Sequence, residues 1–135
     1  MAGVYPAAPP INRGKAILIV EDDADIQFFL KKRLEHRGFR CFCLDKTETA
    51  LQSLKEIKPH LVILDLGLFQ TDGTAFLRHV REWTPPGMEV PPVIVLSGHN
   101  QKEIVEYCLE QGAKGFVRKP MDPEVLMRMV HEYIM

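Results

Sequence analysis

Short apolar runs alternate along the chain with longer segments in which apolar residues recur with the period of a helix. The runs are mostly continuous rather than interrupted by polar residues, which is typical of parallel strands that are buried on both faces. Such alternation of strand and helix indicates βαβ units around a parallel sheet. The pattern therefore predicts an α/β fold with five strands, at residues 16–20, 39–44, 61–64, 93–96 and 115–117.

Helices are predicted between these strands and after the last one, from apolar residues three and four positions apart. The first helix is predicted to end before Gly38 and the fourth before Gly112, because glycine commonly follows the last turn of a helix. Asn100 and Glu103 resemble a capping box at the start of the fourth helix. The apolar positions that predict the first four helices are 26, 29, 30 and 34; 50, 51, 54 and 57; 76, 77, 80 and 83; and 104, 105, 108 and 109.

The last helix is predicted to begin near residue 123, because Asp122 directly before Pro123 is suited to be an N-cap. Its core-facing stripe is expected to contain residues 125, 126, 129, 130 and 133. Met127 and Ile134 lie seven residues apart outside this stripe and are expected to be exposed. Their exposure would offer an apolar contact to a partner or to a second copy of the chain.

The chain has 135 residues, which is enough for one domain with one buried core. Residues 1–14 contain several prolines and are expected to form a flexible leader, so the domain is expected to comprise residues 15–135. The proline-rich segment 84–92 is predicted to be a loop within that domain.

Composition excludes several classes of function. With 46% hydrophobic residues, 26% charged residues and a formal net charge of −1, the chain offers no basic surface for nucleic acid. No run approaches the ~18 apolar residues that a membrane span needs. Cys41, Cys43 and Cys108 are an odd number of cysteines and do not suggest disulfides, so we expect small buried thiols in a cytoplasmic protein.

Polar residues directly follow four of the predicted strands. The acidic run 21–23 follows the first strand, Asp65 the third and Ser97 the fourth, and the fifth continues through Arg118 into Lys119. Each residue alone has an ordinary explanation as a helix cap, a turn residue or a solvated charge. Together they are expected to meet, because the carboxyl ends of parallel strands lie at one edge of the sheet, where ligands bind.

Carboxylates that meet at one edge repel one another unless a cation joins them. Mg²⁺ suits such a site because it takes carboxylate and phosphate oxygens as ligands. We expect Asp22 and Asp65 to contact Mg²⁺ directly and Glu21 to reach it through water. Asp65 is then the expected nucleophile toward phosphorus, with Lys119 and the Ser97 hydroxyl stabilising the phosphoryl oxygens.

These residues, in this order, resemble the receiver domain of two-component response regulators over about residues 15–135. The resemblance rests on the segments 17–23, 61–65, 95–98 and 112–120, together with Asp72-Gly73. It implies a flavodoxin-like (βα)5 fold, a three-layer sandwich with a parallel sheet of strand order 2-1-3-4-5. It also implies a protein that is not an enzyme beyond its own phosphoryl transfer and slow autodephosphorylation.

The resemblance implies that Mg²⁺ is held by Glu21, Asp22, Asp65 and the backbone carbonyl of Gly67. A glycine at this position, two residues after Asp65, leaves an open approach for water. Phe69 stands where the family often has a proline, four residues after the acceptor Asp65.

The resemblance further implies that Asp65 accepts a phosphoryl group from a sensor histidine kinase or a histidine phosphotransfer protein. Ser97 corresponds to the switch hydroxyl and Lys119 to the phosphate-binding lysine, whose peptide bond with Pro120 is usually cis in the family. Phe116 stands where many receivers have a tyrosine that turns inward on activation, so coupling here is expected to rest on packing.

The fourth helix, fifth strand and last helix are implied to form the signalling face, which includes Ile104, Tyr107 and Phe116 and is a candidate surface for a homodimer. No direct nucleic-acid or membrane binding by this domain is expected.

One alternative is a degenerate receiver that acts as a phosphorylation-independent protein-binding module. A haloacid-dehalogenase-like phosphatase is disfavoured because Gln70 stands two residues before Asp72, where that family has its nucleophile. A Rossmann-type nucleotide-binding domain is disfavoured because acids stand after the first strand in place of a glycine-rich turn.

Overall fold

Strands and helices alternate along the whole folded region in the computed structural model. The model describes residues 14–68, 74–84, 86–87, 89–98 and 102–134. In chain order the elements are β1 (Ala16–Val20), α1 (Ala24–His36), β2 (Arg40–Leu44), α2 (Thr47–Ile57), β3 (Leu61–Asp65), a 3₁₀ turn (Leu66–Leu68), α3 (Thr74–Trp83), β4 (Val93–Ser97), α4 (Lys102–Glu110), β5 (Gly115–Arg118) and α5 (Pro123–Ile134).

The described strands form one sheet in the order β2-β1-β3-β4-β5, and every neighbouring pair is parallel. The central strand β1 pairs with both β2 and β3, so that Ile17 lies opposite Cys41 on one side and Leu61 on the other. The strand order predicted from the resemblance is therefore confirmed, and the architecture is the flavodoxin-like three-layer sandwich.

Two apolar clusters fill the space between the sheet and its helices. On one face, Leu30 and Leu34 of α1 and Leu126 and Val130 of α5 pack against Ile17 and its neighbours. On the other face, residues of α2, α3 and α4 pack against the opposite side chains of the same strands. All residues of β1, β3 and β4 are buried, which confirms the prediction for the three inner strands.

The prediction of burial on both faces is wrong for the two edge strands. Most of β2 is only half-buried, and β5 has exposed and half-buried positions, because an edge strand has a neighbour on one side only. Cys41 and Cys43 do share one face of β2 and pack against the α1 and α5 cluster. Burial raises the pKa of Cys41 to about 12 and also raises the pKa of Cys43, which keeps both thiols protonated.

Several helix ends match their sequence signals. The Asp23 carboxylate accepts hydrogen bonds from the backbone N–H groups of Asp25 and Ile26 and caps α1. Asp122 Oδ1 accepts from the N–H of Glu124 at 2.9 Å, which confirms the predicted start of α5. Asn100, half of the expected capping box, lies outside the described residues, as do most of the leader and parts of the 84–92 loop.

The face of α5 that packs into the core includes Leu126 and Val130, as predicted, but is wider than predicted. Met127 and Ile134 are 2% and 8% exposed, so the expectation that they lie on the surface is wrong. Met129 and Tyr133 pack against the core and also cover the start of β5, where a Cβ at Gly115 would lie 3.1 Å from Met129 Sδ and 3.2 Å from Tyr133 Cε2. Apolar residues therefore cover more than one face of α5, because this helix contacts the sheet, the edge strand β5 and α1.

None of the helices in the described ranges has the length and the hydropathy that crossing a membrane would require.

The burial of Met127 in the core can be tested with two alanine substitutions. Met127→Ala should lower the free energy of unfolding by about 2–4 kcal/mol, because it opens a cavity in the core. Leu109→Ala should lower it by less than about 1 kcal/mol, because Leu109 is 46% exposed although the helical pattern predicted it to face the core. Urea unfolding of both variants measures the difference, and equal losses would contradict this arrangement of α5.

Candidate functional site

The polar residues predicted to meet at the carboxyl edge of the sheet do lie there. Glu21 directly follows β1, Asp65 is the last residue of β3, Ser97 is the last residue of β4, and Lys119 directly follows β5. Glu21, Asp65 and Ser97 are buried polar residues in an otherwise apolar core. The parallel order of β1, β3, β4 and β5 is what places these four chain segments side by side.

An acidic cluster forms the centre of this edge. One carboxylate oxygen from each of Glu21, Asp22 and Asp65 lies within 4.8 Å of the others. Glu21 and Asp65 are 0% and 5% exposed, whereas Asp22 is exposed to solvent. Two buried carboxylates with an accessible third fit a hard divalent cation such as Mg²⁺, which takes oxygen ligands and keeps several waters.

Lys119 bridges the two buried carboxylates. Its Nζ lies 3.1 Å from Glu21 Oε2 and 3.2 Å from Asp65 Oδ2. Burial alone would lower the pKa of Lys119, but the hydrogen bond to Glu21 and the charges of Asp65 and Glu21 outweigh burial and raise it. Lys119 is therefore an ammonium group at neutral pH, and it directly faces any group attached to Asp65.

The pKa of Glu21 is raised from 4.5 to about 7. Burial is the largest cause, and the neighbouring Asp65 carboxylate raises it further, while the contacts with Lys119 and with the backbone of Asp23 lower it. One ammonium group thus does not fully compensate the buried acids, so the site favours a proton or a further cation.

Backbone contacts hold the acids in place. The N–H of Gly67 donates to Asp65 Oδ1 at 3.0 Å, and the N–H of Asp23 donates to Glu21 Oε1 at 3.2 Å. A Cβ at Gly67 would lie 3.3 Å from Asp65 Oδ1, so a glycine suits this close approach. The backbone N–H of Lys119 donates to the carbonyl of Ser97 at 2.8 Å, which ties the ends of β4 and β5 together.

Sequence reasoning missed Gln27, whose side-chain amide donates to the backbone carbonyl of Glu21. This contact fixes the turn between β1 and α1, which also carries Asp22. The only sequence signal was the polar residue itself, four residues after the N-cap Asp23.

The other predicted residues lie nearby. The peptide bond between Lys119 and Pro120 is cis, as the resemblance implied. Phe116 is half-buried and packs against the α2, α3 and α4 cluster rather than against the acids. The roles assigned to Gly67, Ser97 and Phe116 remain predictions, and Phe69 and Asp72-Gly73 lie outside the described residues.

Comparison with known proteins places this arrangement in a family. The sequence model of one protein family, the response regulator receiver domain, matches residues 17–131 of the chain. The KDP operon transcriptional regulatory protein KdpE of Escherichia coli is 38% identical over 104 residues, which are 77% of this chain and 44% of KdpE. A 14.6 kDa protein in the sodA1 3′ region of Leptolyngbya boryana is 32% identical over 87% of this chain and 88% of that protein.

Solved structures agree with the fold. The crystal structure of a response regulator from Chloroflexus aurantiacus superposes with a TM-score of 0.79 at 25% identity, covering 90% of this chain and 98% of that chain. The chain therefore spans less than half of KdpE but nearly all of two smaller proteins.

Glu21 should make the metal-free protein less stable as the pH rises. Its folded-state pKa of about 7 exceeds its ordinary value of 4.5, so the folded protein binds this proton more tightly than the unfolded chain does. The resulting stabilisation is fully present below the ordinary value and is lost as the pH rises through about 7. The loss should be on the order of 2 kcal/mol, given about 1.4 kcal/mol for each unit of pKa difference.

Urea unfolding of the wild type and Glu21→Gln in EDTA, at about pH 5 and pH 8, measures this dependence. The wild type should lose more stability than the variant between these two values. Parallel pH profiles for the two proteins would show that Glu21 does not hold the extra proton.

Proposed function

The chain belongs to the response regulator receiver domain family, and from this premise we propose that Asp65 accepts a phosphoryl group in a Mg²⁺-dependent reaction. Receiver domains of this family interact with histidine kinases. The proposed donor is the phosphohistidine of a sensor histidine kinase or of a histidine phosphotransfer protein. The observation that carries the proposal is the position of the Asp65 carboxylate, between Lys119 and two further acids at the carboxyl edge of the sheet.

In the proposed reaction an oxygen of Asp65 attacks phosphorus and forms an acyl phosphate. The bond between phosphorus and the donor's imidazole nitrogen breaks, and its electron pair remains on that nitrogen. The Lys119 ammonium, 3.2 Å from Asp65 Oδ2, is placed to bond a phosphoryl oxygen, and the Ser97 hydroxyl is proposed to bond another. Positioning and charge stabilisation supply most of the acceleration in such transfers.

Glu21, Asp22, Asp65 and the carbonyl of Gly67 are the residues proposed to hold Mg²⁺. The donor set fits, because the three carboxylates converge within 4.8 Å and one of them is open to solvent. When bound, Mg²⁺ would neutralise charge on the phosphoryl oxygens and on the acids. Beyond this transfer and slow autodephosphorylation, we propose no enzymatic activity. We also propose that the protein is cytoplasmic, where its free thiols would stay reduced.

Phosphorylation is proposed to switch the face formed by α4, β5 and α5. A phosphoryl group adds roughly 1.5 to 2 negative charges beside Lys119, and reversing a 1:99 balance of two states needs about 5.5 kcal/mol of preference. Tyr107 on α4 is 45% exposed and is a suitable contact on this face. We propose that a homodimer could form through this face, but Met127 and Ile134 are buried and would not contribute to it. We propose no direct contact with nucleic acid or membrane.

Intact-protein mass after incubation with acetyl phosphate and Mg²⁺ tests the acceptor. The wild type should gain one labile phosphoryl group, and both Asp65→Asn and EDTA should abolish the gain. Asp45→Asn is the matched control, because Asp45 is an exposed acid that directly follows β2 at the same edge of the sheet and lies outside the cluster. An adduct that persists in Asp65→Asn would exclude this acceptor, and no adduct in any protein would favour the phosphorylation-independent binding module.

Lys119→Met should change two properties in opposite directions. Mg²⁺ affinity should rise roughly tenfold, because a positive charge beside two of the proposed ligands is removed. Phosphorylation by acetyl phosphate should slow by about 10²-fold, because a preorganised donor to the phosphoryl oxygens is lost. Calorimetric Mg²⁺ titration and phosphorylation rates measure the two, with Lys114→Met, an exposed lysine before β5, as control. Weaker Mg²⁺ binding in Lys119→Met would indicate that Lys119 mainly supports the fold of the site.

A further inference from the structure

A small cavity opens at the end of the sheet opposite to the acidic cluster. Its volume is about 140 Å³, and it lies between the C-terminal ends of α2 and α3 and the residues that lead into β3 and β4. The walls are mainly apolar and are formed by Leu54, Val80, Pro59, Pro91 and the indole of Trp83. The function proposed above uses none of these residues.

The size of the cavity favours a single ring. An apolar cavity of about 150 Å³ in a protein is large enough to bind benzene. Leu54, Val80 and Pro59 are buried, so the floor is built from the core, while Trp83 is half-buried and forms a side wall. His79 packs edge-on against Trp83 at 5.8 Å between ring centroids, which holds the indole in position.

The rim of the cavity is cationic. Lys55 and Lys58 line it together with one acid, Glu89, so the charged groups at the rim sum to a positive charge. The Lys55 ammonium lies 4.9 Å from the centroid of the Trp83 ring in a cation–π contact. Among the described residues, Lys58 has no carboxylate within 4.0 Å, so its ammonium has no ion pair there.

The backbone of Lys58 gives an independent indication. Lys58 is the C-cap of α2 with φ of +50° and ψ of +61°, and it has the only positive φ among the described residues other than glycine. Glycine or asparagine adopts this left-handed conformation at lower cost than a lysine does. A side chain kept at a strained position beside a cavity suggests that it serves binding rather than stability.

We infer that this cavity binds a small carboxylate with one aromatic ring, whose ring stacks beside Trp83 and whose carboxylate faces Lys58. A ligand of this size makes few contacts, so the affinity should be modest, with a Kd on the order of 0.1–1 mM. The inference does not depend on phosphorylation of Asp65, so either proposal can fail without the other.

Trp83 is the only tryptophan of the chain, so intrinsic fluorescence reports directly on the cavity. Titration of the full chain with benzoate should change this fluorescence in a saturable way. Benzamide, the uncharged analogue, should bind about three- to fivefold more weakly, which is the usual contribution of a charge pair near a protein surface. Acetate, which lacks the ring, should produce no saturable change.

Lys58→Gly is the decisive variant, because glycine relieves the strain while removing the ammonium group. Its melting temperature should equal or exceed that of the wild type, and its affinity for benzoate should fall about three- to fivefold. Lys114→Gln, at an exposed lysine of the same sheet end that does not line the cavity, should bind benzoate as the wild type does.

No saturable response to benzoate would overturn the inference. Equal binding of benzoate and benzamide, or undiminished benzoate binding by Lys58→Gly, would also overturn it by showing a cavity that takes rings without recognising a carboxylate. A cooperative urea-unfolding transition of the same preparation shows that the protein is folded whichever result is obtained.

Discussion

Two buried carboxylates that share one ammonium group are the constraint on which the rest of the structure depends. Glu21 and Asp65 both contact Lys119, and Asp22 adds a third acid nearby. Charges removed from water are costly unless they are paired, and one ammonium group cannot fully compensate two buried carboxylates. Burial, and after it the neighbouring Asp65 carboxylate, raises the pKa of Glu21, and the shortage of positive charge is why this donor set suits a divalent cation. A phosphoryl group on Asp65 would add further negative charge here, so Lys119 or a bound cation would have to shift toward it.

The fold can hold these buried charges because their side chains project from the ends of buried strands whose backbone groups are hydrogen-bonded within the sheet. β1, β3 and β4 are buried over their whole length and fix the ends from which Glu21, Asp65 and Ser97 project. The N–H of Gly67 and the side-chain amide of Gln27 hold the neighbouring turns in place. The apolar clusters on both faces of the sheet therefore serve the site, since they prevent the buried acids from moving apart.

How far the sequence predicted this arrangement depends on how local each signal is. The continuous apolar runs located β1, β3 and β4 within a residue or two, because a strand buried on both faces has few polar positions. The same runs could not show that β2 and β5 lie at the edges, since strand order depends on contacts between distant residues. The face of α5 was assigned wrongly at Met127 and Ile134 because this helix contacts the sheet, its edge and α1 at once. Gln27 was missed because its acceptor is a backbone carbonyl, and a polar residue at this position does not by itself indicate such a contact.

The geometry also limits how a change at Asp65 can reach the face formed by α4, β5 and α5. The backbone N–H of Lys119 donates to the carbonyl of Ser97, and Phe116 lies opposite Val95 in the register of β4 and β5. A movement of Ser97 or Lys119 toward a phosphoryl group must therefore act on the paired ends of these two strands. Phe116 precedes Lys119 on β5 and packs against the cluster of α2, α3 and α4, and its ring has no hydroxyl group to form a new hydrogen bond. If the proposed switch passes through Phe116, it would therefore depend on the packing of the ring and not on a hydrogen bond.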